Sequence, residues 1–458
     1  MKKINFLLIN CDDLGYGDIG CYGSHLNKTP FIDELAIEGI KFEDFYACSP
    51  VCSPSRGGMM CGCYPKRISF ENFNGERVLK PGQDCGLNPN EVTIAKLLQQ
   101  NGYKTMLAGK WHCGDQFEFL PLQHGFDEWY GLPYSNDMGR QNRTWDSLEN
   151  LDKKYPPLPL MEGNEILEQQ PEQESLIERY VEASNRFIRN NSEKPFFLYF
   201  SPIQVHLPLY APKEFYKNSE NGDFGACVAC VDWAVSALVN QLKQCGIYEN
   251  TLIIFTSDNG SRGDHGASNA PLRGHKMQTY EGGMRVPCIM HWKGRIKEGR
   301  YTTQIASNID FYRTFANLAE IDLPKVKIDS EDMTPLIDNQ EDKYQRNSML
   351  YYYEETLEAI RINQYKLFIS RAKEPILELY DLTNDISESI NIAASNPEVV
   401  ERLKAAAYQQ QELIGDCRLG IKGKEVREIG RILNPKMLSK YDEKHPYMIA
   451  VYDNEDDG

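Results

Sequence analysis

The sequence has no long hydrophobic run, no internal repeat and no low-complexity block. No apolar stretch approaches the roughly 20 residues that a membrane-spanning helix needs, so the sequence predicts no membrane segment. Lys2 and Lys3 give the chain a basic start, but the apolar run Ile4–Asn10 is too short for a signal peptide and predicts a buried strand. We therefore expect a cytoplasmic protein.

An excess of positive charge is also absent. The chain has 50 Lys and Arg against 66 Asp and Glu, a formal net charge of −16. This balance argues against non-specific binding to nucleic acid or to an anionic membrane, so an anionic substrate would need a locally positive pocket. The 13 cysteines are odd in number and scattered, and Cys61 and Cys63 do not have zinc-ligand spacing. We predict reduced thiols rather than a disulfide framework.

The 458 residues are long for a single core, and the character of the sequence changes after about residue 340. We predict a main α/β domain over residues 1–345, then a subdomain over 346–415 with a short antiparallel meander and a helix near Pro397–Leu413. Residues 416–458 form a charged extension that we expect to be frayed. This extension is expected either to cap a pocket or to form a subunit contact.

Strands and helices alternate in the predicted main domain. Strands are predicted at Ile4–Asn10, Tyr103–Leu107, Pro195–Phe200 and Thr251–Thr256, with amphipathic helices between them. This alternation is typical of a mostly parallel sheet with helices on both faces. Residues 131–174, rich in proline, asparagine and acidic residues, predict an irregular insertion.

Polar side chains follow each of these strands, where open α/β sheets place their ligands. Asp12 and Asp13 follow the first strand, and oxygen ligands of this kind suit Ca²⁺ or Mg²⁺, although a solvated acidic turn is the alternative. Lys110 and His112 would point the same way if the backbone stays extended; otherwise they are an exposed lysine and a packing histidine.

The segment Cys52-Ser53-Pro54-Ser55-Arg56 predicts the start of a helix, because proline fixes φ near its helical value. Cys52 would then lie beside backbone N–H donors and a permanent guanidinium charge, which favour an anionic group. Taken alone, the same pattern also fits a buried or reactive cysteine in a turn.

Together these segments resemble the type I sulfatases of the alkaline phosphatase superfamily, from Ile4 to about Ala394. Pro133-Tyr134-Ser135-Asn136-Asp137 and His206-Leu207-Pro208 are most similar to the arylsulfatase A and N-acetylgalactosamine-6-sulfatase branch. The resemblance implies a large, mostly parallel sheet sandwiched by helices, with a smaller C-terminal subdomain built on a short antiparallel sheet. The matching motifs are Asp12-Asp13-Leu14-Gly15-Tyr16-Gly17-Asp18, Cys52-Ser53-Pro54-Ser55-Arg56, Gly109-Lys110-Trp111-His112, Ser257-Asp258-Asn259-Gly260, Pro271-Leu272-Arg273-Gly274, Glu281-Gly282-Gly283 and Leu379-Tyr380-Asp381-Leu382.

The resemblance also implies the nucleophile and the metal. Cys52 would be oxidised to formylglycine by a formylglycine-generating enzyme or an anaerobic sulfatase-maturing enzyme, and its hydrated aldehyde would attack sulfur with help from Arg56. A bound Ca²⁺, with Mg²⁺ as the alternative, would contact a sulfate oxygen. The implied ligands are Asp12, Asp13, Asp258 and Asn259.

Five further positions take roles from the same resemblance. Lys110 and Lys276 would neutralise the charge on the sulfate oxygens. His112 would take the proton from the second hydroxyl, and His206 would stand at the leaving oxygen, as general acid together with Lys276. Ser135 matches a serine on the substrate side.

We therefore expect an exo-acting carbohydrate sulfatase, matured in a bacterium, that acts on a sulfated hexosamine such as N-acetylgalactosamine sulfate or on a glycosaminoglycan fragment. The first alternative is a phosphonate monoester or phosphodiester hydrolase on the same scaffold. The second is a non-catalytic protein that binds sulfated glycans with Cys52 unmodified.

Overall fold

The structure is a computed structural model, and it describes residues 3–142, 155–448 and 450–451. The helices are α1 Pro30–Ile37, α2 Cys52–Cys61, α3 Ile94–Gln100, α4 Leu176–Asn190, α5 Lys213–Tyr216, α6 Gly222–Gln244, α7 Glu281–Met284, α8 Phe311–Leu318, α9 Thr334–Ile337 and α10 Pro397–Ile414. The strands are β1 Asn5–Cys11, β2 Ile40–Phe42, β3 Phe45–Tyr46, β4 Cys85–Gly86, β5 Lys104–Gly109, β6 Glu128–Gly131, β7 Gln141–Asn142, β8 Pro159–Glu162, β9 Glu165–Gln169, β10 Phe196–Ser201, β11 Thr251–Ser257, β12 Cys288–His291, β13 Arg300–Thr302, β14 Ala306–Ser307, β15 Ser348–Tyr353, β16 Thr356–Ile362, β17 Tyr365–Arg371, β18 Glu374–Asp381, β19 Gly430–Arg431 and β20 Ala450–Val451.

The largest sheet has ten strands in the order β13-β2-β12-β11-β1-β10-β5-β6-β8-β9. Its five central strands, from β11 to β6, run parallel to one another. Every residue of β1 is buried, as expected for a strand with neighbours on both sides and helices on both faces. The predicted mostly parallel sheet is confirmed.

Two apolar cores lie on opposite faces of this sheet. Leu7 and Ile9 of β1 belong to the core that contains α4 and α6, whereas Phe6 and Leu8 belong to the core that contains α3 and α8. Successive side chains of a strand point to opposite faces, so a single strand contributes to both cores. Helices therefore sandwich the sheet, as predicted.

Helix α6 has the length and apolar composition of a membrane-spanning segment, which we did not expect from the sequence. In the structure 67% of its most apolar window is buried, and it packs against α1 and α4. Its apolar character is therefore explained by its place in the core of the protein.

A second, four-stranded antiparallel sheet has the order β15-β16-β17-β18, and α10 packs on β16 and β17. Its apolar side chains form a separate core with those of α10, including Leu379 and Leu403. The predicted antiparallel meander with its following helix is confirmed.

The prediction of an irregular insertion over residues 131–174 is wrong for part of that range. Strands β8 and β9 form a hairpin that pairs with β6 and extends the main sheet by two antiparallel strands. Pro159 stands at the first position of β8, where a strand tolerates proline, so proline content misled the prediction. Residues 143–154 lie outside the described residues.

The prediction of a frayed C-terminal extension is also wrong for residues that the structure describes. Strand β19 pairs with β4, and Arg427 forms an ion pair with Glu91 at 2.7 Å. Charged composition alone does not show that these charges have partners elsewhere in the chain. Residues 452–458 lie outside the described residues.

Candidate active site

The polar clusters predicted at the strand ends do meet at the carboxyl edge of the main sheet. Asp12 follows β1, Lys110 follows β5 and Asp258 follows β11, while His206 lies in the loop after β10. Gly109 immediately precedes Lys110 with φ +115°, and a Cβ there would lie 1.8 Å from the Ser201 carbonyl oxygen. Only glycine permits this approach of the two strand ends.

Asp12, Asp13, Asp258 and Cys52 place one ligand atom each within 4.8 Å of one another. Asn259 joins them by donating from Nδ2 to Asp13 Oδ1 at 2.7 Å, and its own Oδ1 is buried without a hydrogen-bond partner. Three carboxylates and an orphaned amide oxygen are the donor set that Ca²⁺ or Mg²⁺ prefers, so the predicted ligands fit such an ion.

Three buried cations balance these three carboxylates. Lys110 Nζ lies 2.7 Å from Asp12 Oδ2, and Lys276 Nζ lies 2.9 Å from Asp13 Oδ2. Arg56 binds Asp258 with Nε at 2.8 Å and with a terminal nitrogen at 2.7 Å. Paired charges tolerate burial that isolated charges would not.

The pKa values reflect this balance of burial and charge. Burial alone would raise the pKa of Asp12, but the nearby cations, Lys110 first among them, hold that pKa below its ordinary range. Burial raises the pKa of Asp258 to about 6, with Arg56 opposing the effect. Burial would lower the pKa of Lys110, but Asp12 raises it overall, so this lysine stays charged.

Cys52 is the first residue of α2 and follows Val51, whose backbone is extended. Its Sγ lies 3.6 Å from Asp12 Oδ1 and 3.9 Å from Asp13 Oδ1. Burial raises the pKa of the Cys52 thiol well above its ordinary value, although Lys110 opposes the shift. Arg56 lies four residues further on, on the same face of the helix, which explains the spacing of the motif.

Ser135 and His206 close a ring of polar contacts around this group. Lys110 Nζ donates to Ser135 Oγ at 2.9 Å, and Ser135 Oγ lies 3.3 Å from His206 Nε2. Lys276 Nζ lies 3.2 Å from the same nitrogen.

These contacts determine which nitrogen of His206 carries the proton. An ammonium group only donates, so Nε2 accepts, and the His206 proton is on Nδ1, which contacts the Leu207 carbonyl. Burial lowers the pKa of His206.

His112 is buried, and its Nε2 lies 3.0 Å from the Leu79 carbonyl oxygen. Its φ is +59°, so the backbone is not extended, and the condition under which we expected Lys110 and His112 to point the same way is not met. Burial lowers the pKa of His112 well below its ordinary value, and the charges of Lys110 and Arg56 lower it further. The His112 imidazole therefore lies close enough to Lys110 and Arg56 for their charges to affect it.

Sequence reasoning missed Ser201 and Tyr199. The Arg56 guanidinium donates to Ser201 Oγ, to the Lys110 carbonyl at 3.2 Å and to the Tyr199 hydroxyl at 3.5 Å. Ser201 ends β10, and a polar residue at the carboxyl end of a central strand was the signal that could have identified it. These acceptors fix the orientation of the guanidinium beside Cys52.

Two cavities differ in their relation to the predicted site residues. A cavity of about 230 Å³ begins at Met277, next to Lys276, and includes Tyr280, Tyr353, Glu358 and Arg371. A cavity of about 580 Å³, whose lining includes arginine and carboxylate side chains that pair with one another, contains none of the predicted site residues.

Family comparisons agree with this geometry. The model of the family described as Sulfatase matches residues 4–321, and the model described as N-sulphoglucosamine sulphohydrolase, C-terminal, matches residues 274–412. Human arylsulfatase A is 36% identical over 452 residues, with 89% of this chain and 88% of that protein covered. Canine N-acetylgalactosamine-6-sulfatase is 35% identical over 382 residues, covering 79% of this chain and 71% of the relative.

Solved structures give the same picture. The sulfatase PsFucS1 from Pseudoalteromonas has a TM-score of 0.82 at 28% identity, covering 94% of this chain and 92% of its own. Ps i-CgsB in complex with k-i-k-neocarrahexaose has a TM-score of 0.77 at 31% identity, covering 89% of this chain and 93% of its own. The phosphonate monoester hydrolase of Agrobacterium radiobacter shares the fold, with a TM-score of 0.64 at 18% identity. The match covers 89% of this chain and 95% of that hydrolase.

Proposed function

The chain belongs to the sulfatase family, in the arylsulfatase A and N-acetylgalactosamine-6-sulfatase branch, and we propose that it removes an O-sulfate from a carbohydrate with a formylglycine formed from Cys52 and a bound Ca²⁺. As a sulfuric ester hydrolase it hydrolyses sulfate esters. The proposed substrate is a sulfated hexosamine such as N-acetylgalactosamine sulfate, or a glycosaminoglycan fragment attacked from its end.

The observation that carries the proposal is the closed ring of buried polar groups around Cys52. It runs from Asp12 through Lys110, Ser135, His206 and Lys276 to Asp13. With a divalent cation bound, the charges of that ion and of Lys110, Lys276 and Arg56 would exceed those of the three carboxylates and create the locally positive pocket that a sulfate needs inside an acidic protein.

Two groups that are not part of the polypeptide as translated complete the chemistry. Hydrated formylglycine would supply one hydroxyl to attack sulfur and a second to allow release of sulfate. A divalent cation held by Asp12, Asp13, Asp258 and Asn259 would polarise a sulfate oxygen. Maturation by a formylglycine-generating or anaerobic sulfatase-maturing enzyme belongs to the same proposal.

The side chains of the chain itself have separate tasks. Lys110 and Lys276 bind and orient the sulfate oxygens through Nζ. His206 Nε2 faces the leaving oxygen, and the hydrogen bond from Lys276 makes a proton available there. His112 carries its proton on Nε2, so Nδ1 has a free lone pair that can accept a proton from a hydroxyl.

A carbohydrate substrate is supported by the cavity lined by Met277, the residue that follows Lys276 in the sequence. Its volume of about 230 Å³ is below the roughly 300–1,000 Å³ of pockets for drug-sized ligands, which favours a small sugar over a long chain. Tyr280 and Tyr353 offer aromatic surface, while Glu358 and Arg371 offer hydrogen-bonding groups. The names of the N-acetylgalactosamine-6-sulfatase relatives support a hexosamine.

The test is sulfate release from a panel of sulfated monosaccharides and disaccharides by protein co-expressed with a formylglycine-generating enzyme. We expect release from one sugar or a few related sugars, its loss in Cys52→Ala, and its retention in Cys417→Ala, which removes an exposed thiol. Aryl sulfate, phosphate diester and phosphonate monoester substrates belong in the same panel. Faster turnover of the phosphorus esters by protein with a fully converted Cys52 peptide would replace the proposal with the phosphoester alternative.

A further inference from the structure

We propose that the C-terminal tail, residues 427–441, is a positioning element that holds the loop of residues 79–87 and thereby fixes the orientation of His112. The proposal rests on the proposed function for its kinetic test but not for its structural test. It assigns a task to a segment that neither the family motifs nor the site residues include, and it makes Gln116 a positioning residue.

Leu79 is the point at which the loop meets the active site. Its carbonyl oxygen lies 3.0 Å from His112 Nε2, and a carbonyl can only accept, so it holds the His112 proton on Nε2. The backbone N–H of Leu79 donates to Ser53 Oγ at 3.1 Å, and Ser53 follows Cys52. One buried peptide segment therefore sets the tautomer of His112 and contacts the residue next to the nucleophile.

The loop is tied to the residues that follow His112. Gly82 N donates to Asp115 Oδ2 at 2.6 Å, and Leu87 N donates to the Cys113 carbonyl at 2.8 Å. Gln116 Nε2 donates to the other carboxylate oxygen of Asp115 at 2.8 Å. Hydrogen bonds therefore join the loop to residues 112–116, with Gln116 at the outer end of this unit.

The tail completes this unit from the far end of the sequence. Gln116 Nε2 donates to the Lys436 carbonyl at 2.9 Å, and Lys436 N donates to Gln116 Oε1 at 2.8 Å. Gln116 is only 5% exposed, so the tail satisfies an amide that water reaches poorly. Ile432 N also donates to the Asp84 carbonyl at 2.9 Å, beside the pairing of β19 with β4.

Loss of the tail contact is expected to lower kcat more than it raises KM. The groups proposed to bind sulfate, Lys110 and Lys276, are held directly by Asp12 and Asp13 at the end of β1. The imidazole ring of His112, in contrast, has only the Leu79 carbonyl as its hydrogen-bond partner among the described residues. Loosening the loop therefore affects proton transfer before it affects sulfate binding.

Two variants and a matched control test the proposal in the full-length, matured enzyme. Gln116→Ala removes the side-chain contacts, and Lys436→Pro removes the tail N–H donor together with the lysine side chain. Lys436→Ala keeps the backbone donor and serves as the control. We expect kcat to fall about tenfold in the first two variants with KM within about twofold of wild type, and Lys436→Ala to match wild type.

Hydrogen–deuterium exchange of residues 79–87 gives a second measurement that needs no substrate. We expect faster exchange there in Gln116→Ala and Lys436→Pro than in wild type or Lys436→Ala. The proposal would be overturned if folded Lys436→Pro had the same kcat and the same exchange rate as wild type. It would also be overturned if the variants had a lower melting temperature but an unchanged kcat per folded molecule. If wild type releases no sulfate from any sugar, the proposed function fails, and exchange alone decides whether the tail holds the loop.

Discussion

At the scale of single residues, Lys276 carries the largest number of proposed tasks. It is fully buried, pairs with Asp13 at 2.9 Å and contacts His206 Nε2 at 3.2 Å. Burial alone would lower the pKa of Lys276, but Asp13 raises it overall, so the ammonium group stays charged. A neutral residue there would remove the cation that pairs with Asp13 and the hydrogen-bond donor to His206 Nε2.

We predict that Lys276→Ala lowers kcat/KM for sulfate release by about 100-fold or more, the effect of losing one donor that stabilises developing charge. Lys293→Ala is the matched control, because Lys293 forms an exposed pair with Glu298 far from the site. Steady-state kinetics on the best sugar of the panel measure the effect. A Lys276→Ala enzyme within threefold of wild type would remove Lys276 from the mechanism.

At the scale of secondary structure, α3 shows how a short helix is fixed beside the sheet. Thr93 Oγ1 accepts from Lys96 N at 3.0 Å, capping the helix, and its hydroxyl also donates to the His124 carbonyl. The opposite side of α3 is buried in the core that also contains α8, through Ile94, Ala95, Leu97 and Leu98. One side chain thus satisfies a helix end and ties it to a neighbouring turn.

We predict that Thr93→Ala lowers the free energy of unfolding by about 1 kcal/mol, the usual cost of losing an N-cap. Thr93→Ser keeps the hydroxyl and loses only a buried methyl group, so it should lose less stability than Thr93→Ala. Urea unfolding followed by circular dichroism measures both. Equal losses in the two variants would show that the methyl group of Thr93, and not its hydrogen bonds, stabilises this region.

At the scale of the whole molecule, the proposed cation joins segments that are far apart in the sequence. Asp12 and Asp13 follow β1, whereas Asp258 and Asn259 follow β11, and the two strands pair in register from Asn5 to Cys11. An ion bound to both strand ends is present only in the folded state, so it stabilises that state by mass action.

We predict that Ca²⁺ raises the melting temperature of the protein in a concentration-dependent way, equivalent to about 2.7 kcal/mol at 100 times Kd, and that a chelator reverses the shift. Asp13→Asn should lose most of this shift, whereas Asp338→Ala, which removes an exposed partner of Arg295, should keep it. Differential scanning calorimetry measures the shift. An identical shift in both variants would place the ion elsewhere.

The tail at residues 427–441 also belongs to this scale. The sequence assigned it to a charged extension, but its contacts with Gln116 span 320 residues. Pairings over such distances leave no periodicity in the local sequence, so neither composition nor charge pattern could predict them. The hairpin of β8 and β9 escaped prediction for a related reason, because its register depends on β6.

The sequence by itself determined the alternation of strands and helices, the antiparallel meander and the residues that gather at the carboxyl edge of the sheet. It could do so because strand and helix periodicities, helix caps and the motifs around Asp12, Cys52 and Asp258 are local features of the chain. Only the tertiary structure decided how these residues face one another. The ring through Ser135 and His206, the Leu79 carbonyl on His112 and the Ser201 contact of Arg56 are side-chain distances, set by packing between distant segments.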